Sequence, residues 1–294
     1  MNKHHSGFVN IIGNPNVGKS TLMNILTGEK LSVVTAKAQT TRHRIMGIIN
    51  GDDYQIVFSD TPGIIQPKYK MQEGMMDFVH TSLTDADVVI YVTDVVETPG
   101  KNREYIEKIA QMDVPVLLII NKIDLATQEK LTTLTATWTS MLPKAQMLAV
   151  SAKEKFNVTA VSEAIIGLLP EGPVYFPKDE MSDKPDRFFA SEILRGKIFE
   201  NYRKEIPYCS EVVIEAFKEE ANIIHIQSLI YVERETQKSI LIGKKGTALK
   251  KTATEARKEM EIFFAKKVFL ETFIKVRKDW RNNETYLRNL GYLG

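Results

Sequence analysis

The 294-residue chain has one cysteine, Cys209, and two tryptophans. A lone cysteine can close no internal disulfide and build no multi-cysteine metal site, which fits a reducing compartment and argues against a structural zinc. Long apolar runs are missing too. No stretch approaches the ~20 apolar residues that a helix needs to cross a bilayer, and the polar segment Met1 to Gly7, with His4 and His5, leads us to expect no signal peptide. Charge of one sign is also lacking, since 39 Lys+Arg oppose 37 Asp+Glu for a formal net charge of +2. No internal repeat or low-complexity tract is evident. What is present, 43% hydrophobic and 26% charged residues, is the composition of a soluble globular protein. The length suits two domains at roughly 100 to 200 residues each.

Charge is unevenly placed. Residues 1 to 175 carry 16 basic and 18 acidic side chains, whereas residues 176 to 294 carry 23 and 19. Between 238 and 281 the imbalance sharpens to 13 against 5, which suits either a solvated face or a surface for a polyanion. In the first half, apolar runs alternate with helical stretches: Phe8 to Ile12 then Ser20 to Leu26, Asp87 to Val92 then Asn102 to Ile109, Val114 to Ile120 then a segment to Met141, Met147 to Val150 then Val158 to Leu169. Such alternation predicts a mostly parallel sheet with helices on both faces. Ile45 to Ile49 and Gln55 to Phe58, around Asn50-Gly51, predict one hairpin. Pro170, Gly172, Pro173, Pro177 and Pro185 mark a linker. Beyond it the pattern predicts a helix (Phe188 to Arg203), two strands (Glu211 to Phe217, Ile223 to Val232), a helix (Thr247 to Phe263), a strand (Val268 to Val276) and a terminal helical piece.

Gly13-Asn14-Pro15-Asn16-Val17-Gly18-Lys19-Ser20 stands between a predicted strand and a predicted helix, the context that a GxxxxGKS phosphate loop requires, and Thr21 follows it. Its backbone N–H groups and the helix N-terminus would face phosphates; Lys19 would reach the β- and γ-phosphates and Ser20 would ligate Mg²⁺. Asp60-Thr61-Pro62-Gly63 follows at the end of another strand, where a carboxylate can hold Mg²⁺ through water and the Gly63 amide can sense a γ-phosphate. Asn121-Lys122-Ile123-Asp124 selects the base, because the Asp124 carboxylate can accept from the guanine ring N–H and exocyclic amine. A carboxylate left unpaired by the wrong base would support discrimination of roughly 10⁴. Val150-Ser151-Ala152-Lys153 offers backbone N–H groups for guanine O6.

Over about residues 6 to 170 these motifs resemble the translation-factor-related GTPases, and the form Asn14-Pro15-Asn16-Val17-Gly18-Lys19-Ser20-Thr21 is similar to the Era, TrmE and Der branch. Gln39-Thr40-Thr41-Arg42-His43 resembles the first switch of that branch, in which a threonine closes over Mg²⁺ and γ-phosphate. Thr41 is favoured for that role and Thr40 stays open. Lys19, Thr41 and Gly63 are the expected catalytic positions, with Ser20, Thr41 and Asp60 around Mg²⁺. Small signalling GTPases carry a water-positioning glutamine directly after DxxG, but this chain has Ile64 and then Ile65, so slow intrinsic hydrolysis is expected. The resemblance implies that Asn16 helps hold a K⁺ ion that acts as an arginine finger would, making K⁺ an activator.

Within the basic region, Ile240-Leu241-Ile242-Gly243-Lys244-Lys245-Gly246 precedes a predicted helix. A GxxG turn entering a helix presents N–H groups and, here, two lysines to a nucleic-acid backbone, which is the KH signature. The element order resembles the bacterial type II KH arrangement, with a groove for about four unpaired nucleotides. Ile242, Gly243, Lys244, Lys245, Gly246, Lys250 and Lys251 are the expected RNA contacts; Ile240 and Ile242 fit a core or a base-contacting role. His225 is expected on the polar face of a strand. Leu194-Arg195-Gly196-Lys197 and Glu205-Ile206-Pro207-Tyr208 resemble the entry to the KH domain of the Era family, so the resemblance spans nearly the whole chain.

The resulting expectation is an α/β P-loop GTPase domain (6–170), a linker (171–186) and an α+β type II KH domain with a C-terminal helical extension (187–294). The resemblance further implies binding to the single-stranded 3′ end of small-subunit ribosomal RNA and to the 30S particle, with a role in 30S assembly and 16S rRNA maturation. It also implies a cytoplasmic monomer with peripheral contact to the inner face of the membrane. Two rivals differ in kind: an RNA chaperone whose nucleotide site does not turn over, and a tRNA-modification GTPase of the TrmE type. The first would not need a complete Mg²⁺ site. The second needs a separate modification domain and often a C-terminal cysteine, whereas this chain closes on Asn289-Leu290-Gly291-Tyr292-Leu293-Gly294.

Overall fold

A computed structural model describes residues 4–294. The chain forms two compact units, the first taking in the chain up to Ser32, Thr41–Gln66 and Met75–Asp183, the second Val33–Thr40, Pro67–Gly74 and Lys184–Gly294.

Elements follow in the order β1 (His5–Gly13), α1 (Lys19–Thr27), β2 (Ile45–Asn50), β3 (Tyr54–Asp60), α2 (Lys70–Thr84), β4 (Val88–Asp94), α3 (Arg103–Ala110), β5 (Val116–Asn121), α4 (Gln128–Met141), β6 (Gln146–Ala149) and α5 (Val158–Leu168). The sheet of the first unit runs β2-β3-β1-β4-β5-β6, parallel throughout except for the β2–β3 hairpin. Its centre reads as continuous apolar sequence, and every residue of β4 is buried, as a strand covered on both faces requires. The helix α2 was not anticipated from the sequence. Its Met71, Met75, Met76 and Val79 are buried at helical spacing.

Strand β2 lies at the sheet edge, where unpaired backbone groups invite aberrant pairing. The segment read as a linker covers it. Ile48 N–H donates to Met181 O at 2.9 Å, Ser182 Oγ to Met46 O at 2.6 Å, and Asn50 Nδ2 to Lys178 O at 3.0 Å. Gln55 completes the seam by donating to Phe176 O at 2.8 Å and accepting from Phe176 N–H at 3.0 Å. Residues up to Asp183 therefore pack as an arm of the first unit.

The second unit continues with α6 (Asp186–Asn201), α7 (Ile206–Cys209), β7 (Glu211–Glu219), β8 (Ile223–Val232), α8 (Glu235–Ile242), α9 (Thr247–Phe263), β9 (Lys267–Val276) and, after a short 3₁₀ turn at Trp280–Asn282, α10 (Glu284–Asn289). Its sheet runs β7-β8-β9, antiparallel then parallel. Alternation along β8 puts Ile224, Ile226, Ile230 and Val232 against Ala190, Leu194, Ile198, Ala256 and Met260 of α6 and α9. Each such buried Ile, Val, Leu or Met side chain contributes about 1.5–3 kcal/mol. The C-terminal segment is pinned by Trp280 Nε1, which donates to Cys209 O at 3.1 Å, and by Tyr292 OH, which donates to Glu211 Oε2 at 2.7 Å. The run Ile240 to Ile242, which gave no helix signal by its pattern, closes α8. Leu241 is core, but Ile240 is 49% exposed, so a core role for Ile240 does not hold.

Candidate nucleotide site and nucleic-acid interface

The phosphate-loop motif joins β1 to α1, and the other three nucleotide motifs follow the C-terminal ends of β3, β5 and β6. This is the edge at which open α/β sheets bind ligands. Lys19 is buried and turns its ammonium onto the loop's own carbonyls, donating to Gly13 O at 3.1 Å and Asn14 O at 2.9 Å. Burial holds its pKa down to about 8 against the opposing pull of Asp60 and Glu97. Those carbonyl contacts are weak partners for a charge, and phosphate oxygens offer stronger ones.

Ser20 Oγ donates to Asp60 Oδ2 at 2.6 Å and lies 2.9 Å from Thr41 Oγ1, while Thr41 Oγ1 is 3.4 Å from the same carboxylate oxygen. Asp60 has no exposure, and burial raises its pKa although Lys19 opposes the shift. Its other oxygen, Oδ1, is buried with no hydrogen-bond partner among the described residues. Two hydroxyls and an under-satisfied buried carboxylate form an all-oxygen set that fits Mg²⁺, a hard cation. Thr40 stands apart from this set: its hydroxyl donates to Lys37 O at 2.7 Å and lies 2.6 Å from Thr35 Oγ1.

Thr61 Oγ1 donates to Ile11 O at 2.8 Å, and Ile64 N–H donates to Gly13 O at 3.1 Å, which ties the loop containing Pro62 and Gly63 to the phosphate loop. Ile64 is itself buried.

Asn121 joins three loops, donating to Val17 O at 2.8 Å and accepting from Lys122 N–H at 2.8 Å and Ala152 N–H at 3.0 Å. The Ala152 amide, expected to face guanine O6, is thus engaged within the fold, as is the Ser151 amide, which donates to Phe156 O at 3.2 Å. Gly18 must lack a side chain here, because a Cβ would lie 2.2 Å from Asn121 Nδ2. Lys122 Nζ pairs with Asp94 Oδ2 at 2.6 Å and donates to Asn16 O at 2.5 Å. Asp124 is exposed rather than buried, with Oδ1 accepting from Ser151 Oγ at 2.6 Å, and Lys153 is exposed beside it in the motif. The Asp124 carboxylate is therefore open to a ligand.

Glu97 and Asn102 escaped the sequence reading. Asn14 Nδ2 donates to Glu97 Oε2 at 2.8 Å, Asn102 Nδ2 donates to Asn14 Oδ1 at 2.5 Å, and Thr93 bonds the same Glu97. Burial raises the Glu97 pKa. Their polar loop after β4 carries no periodic signal that would single them out.

In the second unit Gly243 and Gly246 both take positive φ, 72° and 74°, and Gly246 N–H donates to Gly243 O at 3.1 Å. Lys244, Lys245, Lys250 and Lys251 are exposed, Ile242 is half-buried, and the first turn of α9 holds no acidic residue. Tyr202 OH donates to Leu241 O at 2.7 Å and fixes the end of α8 that leads into the turn. In the same unit Lys37 Nζ donates to Tyr202 O at 2.6 Å and to Phe199 O, carbonyls at the C-terminal end of α6, where the helix dipole favours a cation.

A phosphate loop, a hydroxyl and carboxylate set for a hard cation, and an Asn-Lys-x-Asp base motif on one sheet edge define a P-loop GTPase, here joined in one chain to a KH domain. The family model described as a 50S ribosome-binding GTPase matches residues 8–122, and a KH domain model matches residues 205–281. A crystal structure of Era in complex with MgGDPNP and nucleotides 1506–1542 of 16S ribosomal RNA is 37% identical, with a TM-score of 0.94 over 99% of this chain and 100% of that one. A point variant of Era from Aquifex aeolicus bound to GDP and AlF₄⁻ matches to the same extent. The chain belongs to the Era family of GTPases.

Proposed function

We propose that this GTPase binds single-stranded RNA near the 3′ end of small-subunit ribosomal RNA and acts in 30S assembly and 16S rRNA maturation. The observation that carries the reading is the full-length likeness to Era holding both a GTP analogue and that stretch of RNA. Gly13 to Thr21 would wrap the phosphates, and Lys19 would exchange its loop carbonyls for the β- and γ-phosphate oxygens. Ser20, Thr41 and Asp60 would hold Mg²⁺, whose contribution is to neutralise charge on the phosphate oxygens. Thr41 takes this role over Thr40 on the grounds of its distances to Ser20 and Asp60. The Gly63 amide would sense the γ-phosphate, and Asp124 would read guanine. Ile64 cannot orient an attacking water, so turnover is slow. K⁺ near Asn16 would supply the missing positive charge.

On the RNA side, Gly243 to Gly246 with Ile242, Lys250 and Lys251 would clamp the nucleic-acid backbone. Coupling between nucleotide and RNA is supported by where the chain changes units: Thr40 belongs to the second and Thr41 to the first, Gln66 to the first and Pro67 to the second. Ordering of these stretches by γ-phosphate would thus reach both units, and linkage requires RNA to alter GTP affinity by the factor that GTP alters RNA affinity. Work in the cytoplasm as a monomer, on the 30S particle, with peripheral contact to the membrane, completes the proposal. No helix among the described residues is long and apolar enough to cross a membrane. The test is RNA affinity of the intact protein with GDP and with a non-hydrolysable GTP analogue. A difference of about fivefold or more is expected; equal affinities would refute the coupling, and no RNA binding in either state would refute the RNA role.

A further inference from the structure

Strand β9 alternates strictly. Val268, Leu270, Ile274 and Val276 face the helices, while Phe269 and Phe273 stand on the opposite face, each 50% exposed. The parallel register puts His225 of β8 beside Phe269, Gln227 beside Glu271 and Leu229 beside Phe273. The His225 and Phe269 rings lie 5.6 Å apart, tilted by 52°. Around the rings, Lys267 and Lys275 are exposed at alternate positions of the same strand, with Glu271 between them. Lys218, beside His225 on β7, pairs with Glu220 at 2.8 Å.

We propose that this outer sheet face is a second surface for single-stranded RNA, on which Phe269 and Phe273 each stack one base while Lys267 and Lys275 meet phosphates. The inference rests on the RNA-binding reading above and extends its footprint beyond the GxxG turn. Four residues along a strand separate the two rings by about 13 Å, room for two bases taken separately. Charged side chains break up the apolar surface, so it lacks the continuous patch that a protein partner would bury. Exposed aromatic rings interleaved with lysines are the usual platform for bases, whose π-faces stack and whose phosphates need cations. Continuity supports the same occupant. Helix α9, which begins at the GxxG turn, packs against β9, and β9 is an edge strand of the sheet, so RNA leaving the turn can cross that edge onto this face.

The test uses the full chain with a GTP analogue and two fluorescent single-stranded RNAs of the rRNA 3′-end sequence, one of about four nucleotides, the length that a KH groove clamps, and one about three times longer. The double variant Phe269→Ala/Phe273→Ala should weaken the long RNA by at least about tenfold, leave the short one unchanged, and keep the dependence of affinity on salt. Lys267→Ala/Lys275→Ala should instead flatten that salt dependence. Unaltered thermal unfolding of both variants checks the fold of the second unit, and ultraviolet crosslinking of the long RNA should mark the peptide containing Phe269 and Phe273. Equal binding of the long RNA by parent and phenylalanine variant overturns the proposal and leaves the GxxG reading standing. Loss of self-association in that variant without an RNA effect overturns it in favour of a second copy of the chain. Failure of the parent to bind either RNA overturns the RNA reading and this one with it.

Discussion

Ser151 Oγ donates to Asp124 Oδ1 at 2.6 Å, so two motifs 27 residues apart share one oriented carboxylate. One oxygen is oriented by the hydroxyl, and the carboxylate as a whole stays exposed. Asp124→Asn replaces an acceptor by a donor opposite the guanine amine and should weaken GTP binding by about 100-fold, the loss of two charge-assisted hydrogen bonds. The same variant should gain affinity for xanthosine triphosphate, whose C2 carbonyl can accept from the asparagine. Competition between the two nucleotides in an equilibrium binding assay measures both effects, and unchanged GTP preference would reject Asp124 as the base reader.

Thr41 and Thr40 are chemically identical neighbours with different surroundings, one beside Ser20 and Asp60, the other bonded to Thr35 and Lys37 O. Thr41→Ala should raise the Mg²⁺ concentration needed for half-maximal hydrolysis by at least about tenfold, the lower range for losing a group that orients a metal. Thr40→Ala should leave that concentration unchanged. A Mg²⁺ titration of turnover in both variants decides between them.

Gly63 sits against the phosphate loop, where a Cβ would come within 2.6 Å of both Pro15 Cα and Pro15 N. Backbone cannot yield as a flexible side chain would, so Gly63→Ala must push the two loops apart. Turnover should fall by about 100-fold, the scale of an ångström's misplacement in a site, with the melting temperature nearly unchanged. Stopped-flow turnover and calorimetry on the same sample separate this from general unfolding.

Ile64 is only 2% exposed, and its N–H is committed to Gly13 O. Ile64→Gln therefore buries an amide rather than presenting one to a water, at a cost of about 1–3 kcal/mol if the amide stays unpaired. The variant should melt earlier and hydrolyse GTP no faster. A rise in single-turnover rate would show that the side chain can reach the γ-phosphate after all.

Asn16 holds φ 65°, a left-handed conformation that asparagine and glycine both tolerate. Asn16→Gly keeps that backbone and deletes the side chain. Parent protein should hydrolyse GTP faster in K⁺ than in Na⁺ at equal ionic strength, and the variant should show little difference. Equal rates for the parent in the two salts would dismiss K⁺ as activator.

Much of this protein is local in the chain and therefore legible without coordinates. The phosphate loop, Asp60 to Gly63, Asn121 to Asp124 and Ser151 to Lys153 are short segments whose residue types and strand-end positions specify their chemistry, and the period of apolar residues places α9 at Thr247–Phe263. Other features depend on partners distant in sequence. The proline-rich stretch 171–186 reads as a linker by composition, yet its part up to Asp183 bonds along β2 because an edge strand leaves donors and acceptors to be met. Helix α2 hides behind a mid-helix Gly74 and a methionine-rich core face. Ile240 was indistinguishable from Leu241 by type, and only the packing of α8 turned one outward and the other inward.

The same division runs through the site. Sequence alone determined that the chain binds a guanine nucleotide and presents a GxxG turn, because those functions use contiguous backbone and adjacent side chains. Tertiary structure decided that Thr41, not Thr40, meets Ser20 and Asp60, that Glu97 and Asn102 brace Asn14, and that Phe269 and Phe273 share an open face with His225. The first two depend on residues brought together across long loops, where a contact leaves no periodic mark on either segment, and the third depends on the pairing of β8 with β9, which alternation along either strand does not specify.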